Sequence, residues 1–104
     1  MEDIQVEEFA DLLKSSVKLQ LIDVREQLEY HTYNIGGLNI PLGTLSGLIE
    51  EDDLELDPNQ PVIVICQRGL RSKTAKLILE NAGYHQTRNL IGGLLKLQRV
   101  LNTK

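Results

Sequence analysis

A run of four β-branched residues, Val62–Ile65, constrains the fold of this chain more than any other feature of its sequence. A continuous apolar run of this length, without polar residues in alternation, is typical of a parallel strand that is covered on both faces. The run leads directly into Cys66, the only cysteine in the sequence. Because open α/β sheets bind ligands beyond the carboxyl ends of their strands, this position predicts a functional role for Cys66.

The rest of the chain alternates between strand and helix patterns. Helices are recognised by apolar residues at i, i+3, i+4 and i+7 spacing, and strands by short apolar runs bounded by turn residues. Strands are predicted at 19–24, 38–40, 62–65 and 88–91, and helices at 6–13, 42–49, 71–82 and 94–101. This alternation predicts an α/β fold with a central, mainly parallel sheet and helices on both faces. At 104 residues, the chain is expected to form a single domain, 1–104.

Composition and charge exclude several classes of protein. Hydrophobic residues make up 41% of the chain and charged residues 25%, as in an ordinary globular domain. The formal net charge of −4 argues against general nucleic-acid binding, and no apolar run is long enough to span a membrane. No signal peptide is expected, because no apolar run follows the acidic start Met1–Asp3, and a cytoplasmic location is predicted. A single cysteine rules out an internal disulfide and a cysteine-based zinc site.

The residues that follow Cys66 favour a thiolate over a thiol. The backbone amides of a tight loop can converge on one atom, and the next helix, predicted to begin at Arg71 or Ser72, has a partially positive amino end. Arg68 and Arg71 add positive charge nearby, so the pKa of Cys66 is expected to be lowered. Gly69 suits a sharp turn of the loop. The alternative is a buried and inert cysteine, which is common for this residue type.

We therefore assign Cys66 as the candidate nucleophile and the next six residues as the candidate substrate-binding segment: Gln67, Arg68, Gly69, Leu70, Arg71 and Ser72. A phosphatase is the nearest chemical alternative, because cysteine phosphatases place an arginine after five intervening residues. Here four residues separate Cys66 from Arg71, and Ser72 stands where a phosphatase has its arginine. The shorter loop forms a tighter cradle, which favours a single sulfur atom over a tetrahedral phosphate ester.

Four segments resemble, in the expected order, the motifs of rhodanese-like sulfurtransferase domains. These segments are 21–26 with Glu29-Tyr30, 35–42, the loop 64–72, and 89–94. The sequence departs from the family pattern at Asn34, where a histidine is common, and at Leu97, where a tryptophan often stands. Both departures are expected to change packing and not chemistry. Residues 33–43 are also similar to the rhodanese domains attached to adenylyltransferases of molybdopterin and thiamin biosynthesis.

The resemblance implies a two-step sulfur relay that needs no metal and no organic cofactor. Cys66 takes sulfane sulfur from thiosulfate or a protein persulfide, and the amides of residues 67–71 stabilise the new persulfide. Arg71, together with Arg68, would steer an anionic donor. Cyanide, a small thiol or a sulfur-accepting carrier protein then takes the sulfur. Two alternatives stay open: a sulfur-delivery domain of a larger adenylyltransferase, and a non-catalytic binding or regulatory module.

Other polar residues are expected to have structural roles. Asp23 ends a predicted strand at the same edge of the sheet as the loop, and a structural pairing is expected for it. Arg25 and Glu29, four residues apart at a helix start, are expected to form an ion pair. His31 and His85 have no evident catalytic partner. The three tyrosines are expected in the core or at its edge: Tyr30, Tyr33 and Tyr84.

Overall fold

The structure, a computed structural model, describes residues 1–102. Helices and strands alternate along these residues, as the sequence pattern predicts. The elements are α1 (Val6–Lys14), β1 (Gln20–Asp23), α2 (Gln27–Thr32), β2 (Leu38–Asn39), α3 (Leu42–Glu50), β3 (Val62–Ile65), α4 (Leu70–Asn81), β4 (Thr87–Asn89) and α5 (Gly93–Leu101). The strands form one sheet in the order β2-β1-β3-β4, in which every neighbouring pair is parallel. The predicted α/β fold is confirmed.

Strand β3 lies inside the sheet, which explains its unbroken apolar sequence. It pairs with β1 on one side and with β4 on the other. Ile63 and Ile65 belong to the core that the sheet forms with α1 and α5. Val62 and Val64 belong to the core on the opposite face, under α3 and α4. Because successive side chains of a strand point to opposite faces, both faces of β3 are covered and no polar residue fits the run.

The strand register brings the candidate site together at one edge of the sheet. Asp23 lies opposite Ile65, so β1 and β3 end at the same level. Asn89, the last residue of β4, lies opposite Val64. In a parallel sheet the carboxyl ends of neighbouring strands meet at one edge. The segment that begins at Cys66 is therefore flanked by the ends of two other strands.

Several predicted boundaries differ from the observed ones by one or two residues, and two of these differences have an evident cause or consequence. Helix α4 begins at Leu70, before the predicted start at Arg71 or Ser72. Strand β4 ends before Leu90, which forms an isolated parallel bridge with Ile4 from the amino-terminal segment. A long-range partner of this kind leaves no trace in the local periodicity on which the prediction was based.

The core prediction for the tyrosines was wrong at Tyr33, which is 40% exposed. This residue follows the end of α2 and lines a surface cavity, so its ring faces outward. Tyr30 and Tyr84 are half-buried, as expected. The hydroxyl of Tyr30 donates a hydrogen bond to the carbonyl of Gly37 at 2.9 Å, which ties α2 to the segment before β2.

No helix within residues 1–102 is both long and apolar enough to cross a membrane. The same residues contain no group of three or more His, Cys, Asp or Glu side chains arranged to hold a metal ion.

The difference in burial between Phe9 and Leu77 predicts unequal costs for truncating their side chains. Phe9 of α1 is fully buried against the sheet and α5, so Phe9→Ala is expected to lower the free energy of unfolding by about 3–5 kcal/mol. Leu77 of α4 is 60% exposed, and Leu77→Ala is expected to change the free energy of unfolding by less than about 0.5 kcal/mol. Urea unfolding of both variants measures the difference. Equal losses would contradict the packing of α1 and α5 on this face.

Candidate active site

The loop that joins β3 to α4 turns sharply around Cys66. Gly69 adopts a left-handed conformation, with φ of 88°, and directly precedes the first residue of α4. A side chain there would also approach the Gly92 amide nitrogen at 3.1 Å and the Leu90 carbonyl oxygen at 3.2 Å. Only glycine adopts this backbone at low cost beside such close neighbours. The predicted sharp turn at Gly69 is confirmed.

Hydrogen-bond donors surround the sulfur of Cys66, which is 1% exposed. The amide of Gly69 donates to Sγ at 3.0 Å, and the amide of Ser72 donates at 3.3 Å. The Ser72 hydroxyl lies 3.2 Å from the same sulfur. These donors come from the loop and from the first turn of α4, where backbone amides have no partner within the helix. The arrangement suits an anion at Sγ.

Burial raises the pKa of the Cys66 thiol, but hydrogen bonds outweigh it and the net pKa is lowered. The leading donors are the Ser72 hydroxyl and the amides of Ser72, Arg68 and Gly69. The direction agrees with the sequence prediction. The cause differs in part, because backbone amides and a hydroxyl, more than arginine charges, favour the thiolate.

Asn89 holds the Ser72 hydroxyl in place. Ser72 Oγ donates a hydrogen bond to Asn89 Oδ1, and Asn89 Nδ2 donates to the Gly69 carbonyl at 3.2 Å. The Gly69 contact fixes the orientation of the amide. The Ser72 hydroxyl oxygen also lies 3.2 Å from Cys66 Sγ, a contact in which either atom can be the donor. Asn89 therefore supports the residue that contacts the sulfur.

The turn before α5 anchors the loop from the other side. The amide of Leu94 donates to the Cys66 carbonyl at 2.9 Å, and the amide of Leu95 donates to the Gln67 carbonyl at 3.0 Å. A Cβ at Gly93 would lie 2.5 Å from both of these carbonyl oxygens. Gly93 also has a φ of 64°, in the left-handed region. The amino end of α5 thus approaches the loop backbone as closely as a glycine permits.

Arg71 pairs with Glu29 of α2 across the loop. Its Nη1 and Nη2 donate to Oε1 and Oε2 of Glu29 at 2.6 and 2.9 Å. Hydrogen bonds from Arg71 lower the pKa of Glu29 to about 2, so the pair stays charged at neutral pH. The stability that this pair contributes is present above the ordinary glutamate pKa and is lost as the pH falls towards 2.

The predicted ion pair between Arg25 and Glu29 is therefore wrong. Arg25 lies 2.9 Å from the carboxylate of Asp23 instead, and both side chains are buried. Arg25 Nε also donates to Asp23 at 3.0 Å, which makes the contact bidentate. Asp23 has the structural pairing that was expected of it. With Arg25 directed inward, the Glu29 carboxylate is available to the loop.

Two cavities meet at the loop. The first, of about 240 Å³, is lined by Cys66, Gln67, Arg68, Leu70 and Arg71. The other two residues of the predicted substrate-binding segment, Gly69 and Ser72, donate backbone hydrogen bonds to the sulfur instead. The second cavity, of about 520 Å³, shares Gln67 and includes Leu28 and Glu29 of α2.

Known proteins share this fold and this order of motifs. A family model described as a rhodanese-like domain matches residues 5–99. The chain belongs to the rhodanese-like family. A rhodanese-like domain protein from Staphylococcus aureus has a similar structure, with a TM-score of 0.80 and 26% identity over 93% of this chain and 91% of that one. The predicted resemblance is confirmed.

Relatives of this rhodanese-like chain are named as sulfurtransferases and sulfur carriers. A candidate sulfur carrier protein of Bacillus subtilis, YrkF, is 32% identical over 88% of this chain and 48% of its own length. The adenylyltransferase and sulfurtransferase MOCS3 of Arabidopsis thaliana is 30% identical over 88% of this chain and 22% of its own length. The chain thus spans about half of one relative and about a fifth of the other.

Three residues of the site were not assigned to it from the sequence. Glu29, Asn89 and Gly93 belong to segments that carry the family resemblance, but none was linked to the cysteine. The available signal was the position of Asn89 at the end of a strand next to β3. The roles of Glu29 and Gly93 depend on tertiary contacts with the loop, which sequence spacing does not show.

Ser72→Ala is expected to raise the pKa of Cys66, because it removes the hydroxyl that donates to the thiolate. Loss of one hydrogen bond to a charged group lowers the alkylation rate at neutral pH by roughly tenfold. The rate of reaction with iodoacetamide, measured against pH, tests this expectation. Ser46→Ala, an exposed serine of α3, is the control. Superimposable pH profiles for wild type and Ser72→Ala would rule out the role of the hydroxyl.

Proposed function

We propose that this rhodanese-like chain carries sulfane sulfur as a persulfide on Cys66 and passes it to an external acceptor. The observation that supports this most directly is the ring of donors on Sγ from Gly69 and Ser72. Donors aimed at one atom in a buried site stabilise the negative charge that a sulfur nucleophile carries before and after transfer. The small cavity above the sulfur leaves room for the incoming atom.

In the first step, the Cys66 thiolate attacks the outer sulfur of a donor. With thiosulfate, a bond forms between Sγ and the outer sulfur, the S–S bond of the donor breaks, and sulfite leaves with the electron pair. The product is the Cys66 persulfide anion, and total charge is unchanged. This is the exchange chemistry of thiolates with sulfur–sulfur bonds. The amides of the loop, already directed at Sγ, also lie close to the added sulfur.

In the second step, an external nucleophile takes the outer sulfur and releases the Cys66 thiolate. Cys66 is the only cysteine among these 104 residues, so no second thiol within them can release the sulfur by forming a disulfide. The acceptor is a small thiol or a sulfur-accepting carrier protein. A role as the delivery domain of a larger protein draws support from the relative named adenylyltransferase and sulfurtransferase, of which this chain covers 22%.

The geometry of Arg71 favours sulfur over phosphate. In a cysteine phosphatase the loop arginine must face the phosphate, whereas here both terminal nitrogens of Arg71 bind Glu29. The loop also has one residue fewer than a phosphatase loop. Both features reduce the space and the positive charge available to a phosphate ester.

Intact-mass measurement tests the proposal. After incubation with thiosulfate or with an alkyl persulfide, wild-type protein is expected to gain one sulfur atom, and reductant should remove it. Cys66→Ser is expected to gain none. If no donor adds sulfur to the wild-type protein, the persulfide proposal is wrong and the chain is a binding or regulatory module.

A further inference from the structure

Glu29 is paired with the Arg71 guanidinium, the group that would otherwise bind an anionic donor. Its two carboxylate oxygens accept hydrogen bonds from Nη1 and Nη2 of Arg71, at 2.6 and 2.9 Å. Arg71 lines the cavity above Cys66, and Glu29 lines the neighbouring one. The side chains of both partners are 37% exposed, so the pair is within reach of a molecule that enters from solvent.

A carboxylate in this position competes directly with an oxyanion. A guanidinium binds two oxygens of one planar or tetrahedral anion through a pair of N–H groups, and the Glu29 carboxylate already holds one such pair, at Nη1 and Nη2. The negative charge of Glu29 also offsets the positive charge of Arg71 next to the sulfur. Thiosulfate, a dianion, would have to displace Glu29 or bind the remaining N–H groups of an arginine whose charge Glu29 already offsets. The expected steering of an anionic donor by Arg71 is therefore not what this arrangement favours.

Arg68 does not replace Arg71 in this role. It lines the same cavity, but its side chain is exposed, so water and salt screen its charge. Leu28 and Leu70 are 80% and 73% exposed and line the two cavities, one in each. The residues around the sulfur thus offer a donor apolar contacts more readily than they offer it an unscreened positive charge.

We infer that Glu29 determines the donor specificity of the site by holding Arg71, which disfavours a dianionic donor more strongly than an alkyl persulfide, whose sulfur carries at most one negative charge. This inference rests on the proposed sulfur-carrying role of Cys66. The Cys66 thiolate attacks the outer sulfur of R–S–SH, a bond forms between the two sulfurs, and the S–S bond of the donor breaks. RS⁻ leaves with the electron pair, and the transferred sulfur keeps its proton as the Cys66 persulfide.

Glu29→Gln tests the inference without removing the helix cap. Glu29 Oε1 accepts a hydrogen bond from the Glu26 amide at 3.0 Å as part of a capping box, and glutamine serves equally at this position. Loss of the negative charge is expected to lower the KM for thiosulfate by about threefold or more. The KM for the persulfide of 2-mercaptoethanol, which carries at most one negative charge, is expected to fall by a smaller factor.

Glu8→Gln is the matched control, because Glu8 also forms a bidentate pair with an arginine, Arg88, away from the loop. It removes the same charge and is expected to change neither KM. An equal change for both donors in Glu29→Gln, or no change for thiosulfate, would overturn the inference.

Alkylation of Cys66 separates this inference from the proposed function. The ratio of the rate with iodoacetate, an anion, to the rate with neutral iodoacetamide cancels any change in the thiolate fraction. The ratio is expected to rise about threefold or more in Glu29→Gln and to stay constant in Glu8→Gln. An unchanged ratio in Glu29→Gln overturns the role of Glu29 even if donors add sulfur to Cys66. A raised ratio together with failure of every donor to add sulfur overturns the proposed function, and with it donor specificity, but not the effect of Glu29 on anions near Cys66.

Discussion

The hydrogen bond from the Gly69 amide to Cys66 Sγ is the contact on which the rest of the site depends. It requires the left-handed backbone of Gly69, which closes the loop over the sulfur and begins α4 one residue later. That closure in turn places the amide and the hydroxyl of Ser72 against the same atom. Gly93 allows α5 to hold the loop carbonyls, so the turn is fixed from two sides.

A buried anion is costly, and the loop offsets this cost with donors fixed before any substrate arrives. Each hydrogen bond to a charged group contributes about 1.5–3 kcal/mol, so several donors outweigh the desolvation of a single sulfur. The lowered pKa of Cys66 reflects this balance. Arg71 follows the cysteine closely in the sequence, but its side chain is directed to Glu29. Arg71 therefore affects the choice of donor more than it affects the formation of the thiolate.

Local sequence patterns predicted what depends on local structure. The β-branched run predicted a doubly covered strand, and Gly69 next to Cys66 predicted a sharp loop; both follow from backbone preferences. The pairing of Glu29 was predicted wrongly, because helical spacing pointed to Arg25 while the true partner lies 42 residues along the chain. Asn89 was missed for a related reason: its place beside the loop depends on strand register, which only the assembled sheet defines.

The central claim, that the loop holds Cys66 as a thiolate, is tested most directly by titrating the unmodified protein. The ultraviolet absorbance of the thiolate is followed against pH, with Cys66→Ser as the blank that removes the contribution of the tyrosines. The account predicts a midpoint below that of a free cysteine, about 8.5. A midpoint at or above that value would show that burial outweighs the hydrogen bonds, and it would contradict the account.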